Sequence, residues 1–343
     1  MNYKETIQRN CNECSPVSWW PQFAFHYTDL SNAVSILSSG FLYSRIKAER
    51  FGVMRNDNAS RQVIDMTGDR VKASVRFYFR PRTPTQYYNE GFKHPSLRYQ
   101  GDEYANVPVP VFFLFDLEKL LSDPYVRFSE TTQAGYSGDL LSGAEAFSQL
   151  DFRKIYSTGS EHISELVQYR HAELLYPNQM PIDGCLRYIL CRNSVEWASL
   201  INLLKKYAAN KLRKYQNRIR IAKRDTFENN GLYLSDCKYH DGKLTISFSD
   251  NVAKRDYTSR MKLKNNVDTL SPVRFATIWD WMDGRNNLYH TETESEISYE
   301  GSQSICYRLP IIDGAKTLRV QPLLELKQMG NLEFPLNSSE VIN

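Results

Sequence analysis

Polar side chains that suit binding or catalysis fall in four short segments of the sequence. The first is His26-Tyr27-Thr28, at the end of an alternating stretch, with Asn32 shortly after it. Imidazole, hydroxyl and amide groups that converge can hydrogen-bond a sugar or a carboxamide. A strand-end histidine that is hydrogen-bonded to backbone has the same appearance in a sequence. This segment therefore predicts a polar site only in combination with the others.

Arginines dominate the second and third segments. Arg61 lies in a loop or short helical turn, where an arginine can clamp a pyrophosphate or oppose a developing charge. The stretch from Arg76 to Arg80 alternates, so that Arg76, Tyr78 and Arg80 share the face opposite Val75, and Pro81 follows. Arginine beside tyrosine can stack on an aromatic ring and bind phosphate. Surface arginines and a solvated strand face are the alternatives.

A single carboxylate, Glu173, defines the fourth segment, Arg170-His171-Ala172-Glu173-Leu174-Leu175. Strand alternation places this glutamate on the face opposite Ala172 and Leu174. A carboxylate with short apolar neighbours is either an exposed strand acid or a positioned catalytic acid. The spacing does not choose between the two.

The elements that must position these residues predict an α+β fold. Phe23 to Thr28 alternates as a strand does, and a short helix over 29–39 follows, with Asp29 as its N-cap and Gly40 as its stop. Ser, Thr and Gly residues between 129 and 165 indicate long loops. Five further strands are expected, over 75–80, 109–115, 172–176, 186–192 and 244–248.

A basic amphipathic helix is predicted over 194–225. Apolar residues recur there at three- and four-residue steps, at Trp197, Ile201, Leu204, Ala208, Leu212, Tyr215 and Ile219. The intervening positions carry basic residues, namely Lys205, Lys206, Lys211, Arg213, Lys214, Arg218, Arg220, Lys223 and Arg224. Of these, we expect Lys205, Lys206, Arg213 and Lys214 to follow a nucleic-acid backbone. Packing of the apolar stripe on a core is compatible with that role, because stripe and charges lie on different faces.

The helix divides the chain into a predicted catalytic domain, residues 1–193, and a mostly β C-terminal region, 226–343, whose role the sequence does not indicate. In the latter, His240-Asp241-Gly242 predicts a hairpin turn.

Composition excludes several classes of protein. With 343 residues, 41% hydrophobic and 24% charged, the chain has enough apolar residues for a core, so disorder throughout is excluded. A net charge of +4 permits an anionic partner without requiring one. No apolar run reaches the length of a membrane span, and six cysteines are too few for a disulfide scaffold, so we expect a cytoplasmic protein. Cys11 and Cys14 form one CxxC without a second pair, and no metal is expected.

Taken in order, the four segments resemble the DarT family of NAD-dependent nucleic-acid ADP-ribosyltransferases. The resemblance begins at His26-Tyr27-Thr28 with Asn32, continues through Arg61 and 77–84, and ends at His171-Ala172-Glu173-Leu174-Leu175. It covers about residues 20–193. Its most specific parts are the Tyr-Phe-x-Pro-Arg-x-Pro stretch and the Ala-Glu-Leu stretch, and the order of all four carries the comparison.

The resemblance implies an ADP-ribosyltransferase fold, a split β-core with short helices whose cleft binds NAD as a substrate. His26, Thr28 and Asn32 would hold the nicotinamide half, and Tyr78 would line that pocket. Glu173 would be the principal catalytic acid. Arg61 would assist near the phosphates or the target base, and the segment 129–170 would recognise that base.

Three features depart from the family pattern. Thr85 stands where members often carry an apolar residue, the neighbourhood of Arg61 has few arginines, and the chain continues beyond the usual family length after Asn193.

The expected substrate is single-stranded nucleic acid, since an unpaired base reaches a cleft without the cost of unstacking. DNA is favoured by the resemblance, and RNA stays open. The family also implies a toxin-like role in a toxin–antitoxin or anti-phage defence system, with an antitoxin partner, and it allows a chaperone alongside. Alternative interpretations are a protein-modifying ADP-ribosyltransferase, a non-catalytic nucleic-acid-binding module, and a structural interaction protein.

Overall fold

The computed structural model describes residues 1–57, 59–99, 106–135, 138–159, 163–223 and 225–336. Arg224, which we assigned to the basic helix, lies outside this range, as do 136, 137 and 160–162 of the segment expected to recognise the base. The described residues form a mixed fold of sheets and short helices. The helices are α1 Tyr3–Glu13, α2 Leu30–Ser39, α3 Arg45–Arg50, α4 Arg61–Met66, α5 Asp69–Lys72, α6 Pro84–Asn89, α7 Leu117–Leu121, α8 Ala144–Ser148, α9 Phe152–Ile155, α10 Ile163–Leu166, α11 Ser194–Tyr207, α12 Ala209–Tyr215 and α13 Val252–Asn265.

Strands account for much of the rest of the described chain. They are β1 Phe23–Asp29, β2 Phe41–Tyr43, β3 Ser74–Tyr78, β4 Pro110–Asp116, β5 Arg127–Ser129, β6 Glu173–Pro177, β7 Gln179–Pro181, β8 Leu186–Cys191, β9 Ile219–Ile221, β10 Leu234–His240, β11 Lys243–Phe248, β12 Val273–Met282, β13 Asn287–Ile297, β14 Ser304–Arg308, β15 Thr317–Leu324, β16 Lys327–Gln328 and β17 Leu332–Pro335. Each of the six strands expected from the sequence has a counterpart, in β1, β3, β4, β6, β8 and β11.

Two compact units make up the chain, and they are interleaved along the sequence. The first contains Met1–Tyr88, Val111–Leu190 and Asn217–Glu228, and the second contains Asn89–Pro110, Cys191–Gln216 and Asn229–Asn343. We had divided the chain sequentially, at 193 and 225. Whether residues 1–193 form a separable catalytic domain stays a prediction.

The first unit is built on a seven-stranded sheet in the order β5-β6-β3-β1-β4-β8-β9. Strand β4 lies inside this sheet and is buried along almost its whole length, which explains its uninterrupted apolar sequence. Rings from β3 and β4, the strands on either side of β1, pack edge to face, as Phe77 does against Phe115 with centroids 5.2 Å apart. Strands β2 and β7 form a separate pair.

Helix α2 begins and ends as its sequence predicts. The Asp29 carboxylate accepts the amide hydrogen of Ser31 at 2.8 Å, which satisfies one of the free N–H groups at the helix start. Gly40 adopts φ 80° at the C-terminus, a left-handed conformation that costs glycine little. These caps fix the point at which β1 passes into α2, and therefore the position of Thr28.

The single basic helix expected over 194–225 is wrong. Helix α11 ends at Tyr207, Ala208 has φ −153°, and α12 ends at Tyr215. A 3-10 turn, Gln216–Arg218, and strand β9 follow. The apolar stripe also differs, since Trp197 is 37% exposed while Leu200 and Leu203 are buried. The residues around Ala208 are all compatible with a helix. The spacing of apolar residues therefore does not predict the break between α11 and α12.

The second unit contains a three-stranded sheet, β10-β11-β14, and a sheet in the order β13-β12-β15-β16, with β17 also paired to β15. The predicted hairpin turn is confirmed: His240 pairs with Lys243, and Asp241 and Gly242 have φ 49° and 67°. Positive φ at both central residues is what the type I′ turn requires, one of the two turns favoured in two-residue hairpins. Helix α13 adds 14 residues of helix to a region that we expected to be mostly β.

Candidate active site

Strand pairing in the first unit places Glu173 beside Tyr78. Glu173 is the first residue of β6, where it lies directly opposite Tyr78 on β3 and Ser129 on β5. Residues directly opposite each other on antiparallel strands point to the same face, and Arg76 joins them because it is two residues from Tyr78. The Glu173 side chain is fully buried. Of the two alternatives for this residue, the exposed strand acid is therefore excluded.

A fork of hydrogen bonds joins Glu173 to Arg76. The Arg76 Nε donates to Glu173 Oε2 at 2.6 Å, and Arg76 Nη2 donates to Oε1 at 3.0 Å. The backbone amide of Gln133 donates to the same Oε1 at 2.8 Å. Bidentate arginine–carboxylate contacts of this kind are strong and directional. The carboxylate is thus held in one orientation.

Burial and the ion pair act in opposite directions on the guanidinium. Burial disfavours the charged form of Arg76, yet the attraction of Glu173 outweighs it, so the pKa of Arg76 is raised above its usual value. The pKa of Tyr78 is also raised, chiefly by burial, with Arg76 opposing the shift. Tyr78 therefore keeps its proton and can act as a hydrogen-bond donor.

His26 is joined to the same arginine through the backbone. Its Nδ1 lies 3.0 Å from the carbonyl oxygen of Arg76, and its ring packs against Phe77 and Phe113. Burial lowers the pKa of His26, so the ring is neutral near neutral pH. A carbonyl only accepts, hence Nδ1 carries the proton and Nε2 is left as an acceptor. That acceptor suits a hydroxyl group of a sugar.

Asn32 is engaged with the chain that leads to Arg61. Its Oδ1 accepts the amide hydrogen of Arg55 at 2.7 Å, and its Nδ2 donates to the carbonyl of Asn56 at 2.6 Å. Thr28 is buried. Arg61 is exposed and begins α4. The predicted contacts of these three residues with NAD stay predictions, and the structure assigns Asn32 a further task, holding 55–56 in place.

Arg80 does not lie on the strand face with Arg76 and Tyr78, where the alternation predicted it. Strand β3 ends at Tyr78, and the Arg80 side chain is buried, with Nη1 donating to the carbonyl of Ile155 at 3.1 Å and with Trp20 beneath it at 4.8 Å. Burial, with the nearby charge of Arg170 acting in the same direction, lowers the pKa of Arg80 to about 9. This arginine therefore connects the chain just after β3 to the C-terminal end of α9 and the residues that follow it.

His171 and Thr85 form a contact that the sequence did not suggest. Thr85 Oγ1 lies 3.1 Å from His171 Nε2. The ring also hydrogen-bonds the carbonyl of Val167, and burial together with the charge of Arg76 lowers the pKa of His171 to about 4. The neutral ring thus donates to Val167 and accepts from Thr85. Thr85, a departure from the family pattern, braces the residues just before Glu173.

All four basic residues chosen for nucleic-acid binding are exposed and lie in the second unit. Lys205 and Lys206 are in the last turn of α11, and Arg213 and Lys214 in the last turn of α12. Lys205 Nζ lies 3.2 Å from Glu333. Cations at helix C-termini also stabilise the helices themselves.

Within the described ranges, no group of three or more His, Cys, Asp or Glu side chains is placed to hold a metal ion. No helix in the described part of the chain is long and apolar enough to cross a membrane.

Sequence reasoning missed the partners of Glu173. Alternation did place Arg76 and Tyr78 on one face, but nothing local to Glu173 showed that β6 pairs with β3, 97 residues away. The amide of Gln133 carries no side-chain signal at all. Strand register brings Arg76 and Tyr78 to Glu173, and the chain that follows β5 brings the amide of Gln133.

The sequence and the fold of this chain can be compared with those of known proteins. No curated protein sequence matches this chain. Among solved structures, Thermus sp. 2.9 DarT in complex with ADP-ribosylated ssDNA is similar, with TM-score 0.49, 18% identity, and coverage of 60% of this chain and 96% of that one. The same protein in complex with NAD+ gives TM-score 0.46 and 18% identity, over 60% and 98%. Thermosipho africanus DarTG in complex with ADP-ribose gives 0.41 and 16%, over 58% and 49%.

The family model described as "ssDNA thymidine ADP-ribosyltransferase, DarT" matches residues 25–224. This range contains all four segments with chemistry-bearing side chains, the bidentate pair of Arg76 and Glu173, and both basic helices. The chain belongs to the DarT family and is an NAD-dependent ADP-ribosyltransferase of the kind that modifies single-stranded DNA.

Proposed function

We propose that this protein transfers ADP-ribose from NAD to the base of a thymidine in single-stranded DNA, with Glu173 as the catalytic acid residue. The observation that carries the assignment of Glu173 is its fully buried carboxylate, held by Arg76 beside Tyr78. Buried carboxylates with fixed orientation and a polar neighbourhood are typical of catalytic positions.

The donors and acceptors around Glu173 fit the nicotinamide riboside half of NAD. The free Nε2 of His26 would accept from a ribose hydroxyl, and the protonated Tyr78 hydroxyl would donate or line the ring pocket. Thr28 would complete this group. We propose that Asn32 acts through the 55–56 backbone, which leads toward Arg61, and that Arg61 contacts the phosphates or the target base.

In the reaction, the bond between the nicotinamide nitrogen and the ribose C1″ breaks, and nicotinamide leaves with the electron pair. A base nitrogen supplies the pair for the new bond to C1″. Negative charge on Glu173 stabilises the cationic ribose in the transition state. The same carboxylate takes the proton that the base nitrogen loses, which is worth about 10²–10⁴-fold in general-base catalysis.

The DNA backbone would lie along Lys205, Lys206, Arg213 and Lys214, whose charges are exposed. The described residues of the segment 129–170 would contact the base, since Gln133 in that segment already touches Glu173. A toxin-like role, an antitoxin partner and a chaperone stay predictions from the family, and so does a cytoplasmic location.

Labelled NAD tests the substrate. The purified protein is incubated with a thymidine-containing DNA oligonucleotide, the same DNA without thymidine, the matching RNA, and a protein mixture. Label on the first alone is the expected result. Label on RNA or protein would overturn the DNA assignment, label on both DNAs would overturn thymidine, and NAD-independent binding without label would favour a non-catalytic module.

A further inference from the structure

We propose that Arg76 is a positioning residue for the reaction: its guanidinium turns Glu173 so that Oε2 alone faces the reacting ribose. The inference rests on the proposed role of Glu173 and adds which oxygen reacts and what selects it.

Counting acceptor sites identifies the reacting oxygen. An ionised carboxylate offers about four lone-pair sites, two on each oxygen. Oε1 uses both of its sites, for Arg76 Nη2 and the Gln133 amide, and Oε2 uses one, for Arg76 Nε. In the described part of the chain no other group donates to Glu173. One acceptor site therefore remains, and it is on Oε2.

The surroundings of Arg76 separate it from an arginine that serves the fold alone. Its side chain is 26% exposed although its carboxylate partner is completely buried. Part of the guanidinium thus remains accessible, and the group it holds, Glu173 Oε2, is the oxygen with the unused acceptor site. A substrate bound there would meet a carboxylate whose rotation is prevented.

Arg76 also contacts His26, but through its backbone carbonyl. A side-chain substitution leaves that carbonyl in place, so the hydrogen bond that fixes the imidazole survives. The contribution of the guanidinium to Glu173 can therefore be measured separately from the orientation of His26.

Arg76→Lys is the first test variant, because it keeps a positive charge for Glu173 but loses the fork. In the full-length protein we expect kcat for transfer to DNA to fall by about 10²-fold, the typical effect of a misplaced catalytic group, with KM for NAD nearly unchanged. Arg319→Lys is the matched control, since Arg319 also binds a glutamate through Nε and Nη2 and is 19% exposed.

Arg76→Ala is the second variant, assayed with and without methylguanidinium. We expect a larger loss of kcat, restored in part by the added guanidinium, and no such restoration for Arg319→Ala. Thermal unfolding of each variant shows whether it is folded. Wild-type kcat in a folded Arg76→Lys or Arg76→Ala protein would overturn the inference, and so would a loss confined to KM for NAD.

The two proposals fail in different ways. Should the wild-type protein label no DNA, the proposed function itself fails. Should the wild type label DNA and Glu173→Gln abolish labelling while both Arg76 variants keep full kcat, the function holds and only the role of Arg76 is wrong.

Discussion

Two buried arginine–glutamate groups, one in each unit, show how similar chemistry serves different ends. Arg192 is almost completely enclosed, hydrogen-bonds Glu196, lies 3.4 Å from Glu90, and stacks over the Tyr233 ring at 3.7 Å. Among the described residues Arg76 has one carboxylate partner, and its guanidinium is partly exposed. In the Arg192 group every charge is enclosed by other protein groups.

Helix geometry explains what the Arg192 group does. Glu196 lies in the first turn of α11, where it accepts the amide hydrogen of Arg192 and its own amide is capped by Asn193. The group thereby satisfies a helix N-terminus. The Arg76 pair satisfies no helix end and leaves an acceptor site unused. The difference teaches that burial of an ion pair indicates function only when part of the pair remains accessible.

The largest expected effect on stability is therefore in the second unit. Arg192→Met removes the guanidinium that lies beside two buried carboxylates, Glu196 and Glu90, and we expect the free energy of unfolding to fall by about 3–5 kcal/mol. Chemical denaturation measures the change. Label transfer per folded molecule should stay near the wild-type value; a specific loss of transfer at unchanged stability would break the contrast between the two groups.

Exposed charges form a third class, with a smaller effect that depends on salt. Replacing Lys205, Lys206, Arg213 and Lys214 by glutamine should reduce the slope of log K against log salt for a DNA oligonucleotide by up to about 3, since each single-strand phosphate contact contributes about 0.7. Binding is measured by titration between about 50 and 200 mM salt.

The control for this variant removes the same charge from exposed positions elsewhere in the second unit, at Lys238, Lys243, Arg285 and Arg308. A similar drop in slope for both variants would show that net charge, and not the two helices, sets the binding.

A neutral buried histidine beside the site gives the smallest expected effect. The pKa of His171 is about 4 in the folded protein and about 6.5 when unfolded, so the unfolded state binds the extra proton as pH falls below about 6.5. Stability is therefore lost toward acid, by about 2 kcal/mol from this residue between pH 7 and pH 5. Denaturation of wild type and His171→Gln at both pH values tests this; an equal pH dependence for the two proteins would contradict it.

Local sequence patterns predicted the individual strands and helices, but they did not predict which strands pair with each other. Alternation gave β1, β3 and β6 to within two residues, and the caps of α2 followed from Asp29 and Gly40. These depend on neighbours in the sequence. The contact between Arg76 and Glu173 depends on which strands pair, and that is decided by packing over the whole sheet.

Prediction from the sequence also fails where the residues are equally compatible with helix and with other backbone conformations. The break at Ala208 carries no proline or glycine, so spacing predicted one helix where two occur. Arg80 illustrates the same point for strands. The alternation of faces ends with the strand at Tyr78, and beyond it the direction of the Arg80 side chain is set by its hydrogen bonds to the carbonyls of Ile155 and Ser157.

The most direct test of the account compares two glutamates that are both buried and both bonded to arginine. Glu173→Gln and Glu196→Gln are assayed with labelled NAD and thymidine-containing single-stranded DNA, with transfer expressed per folded molecule and NAD binding measured in parallel. We predict that Glu173→Gln loses at least about 10²-fold in transfer while still binding NAD, and that Glu196→Gln loses stability but not transfer. Undiminished transfer by folded Glu173→Gln would contradict the central claim.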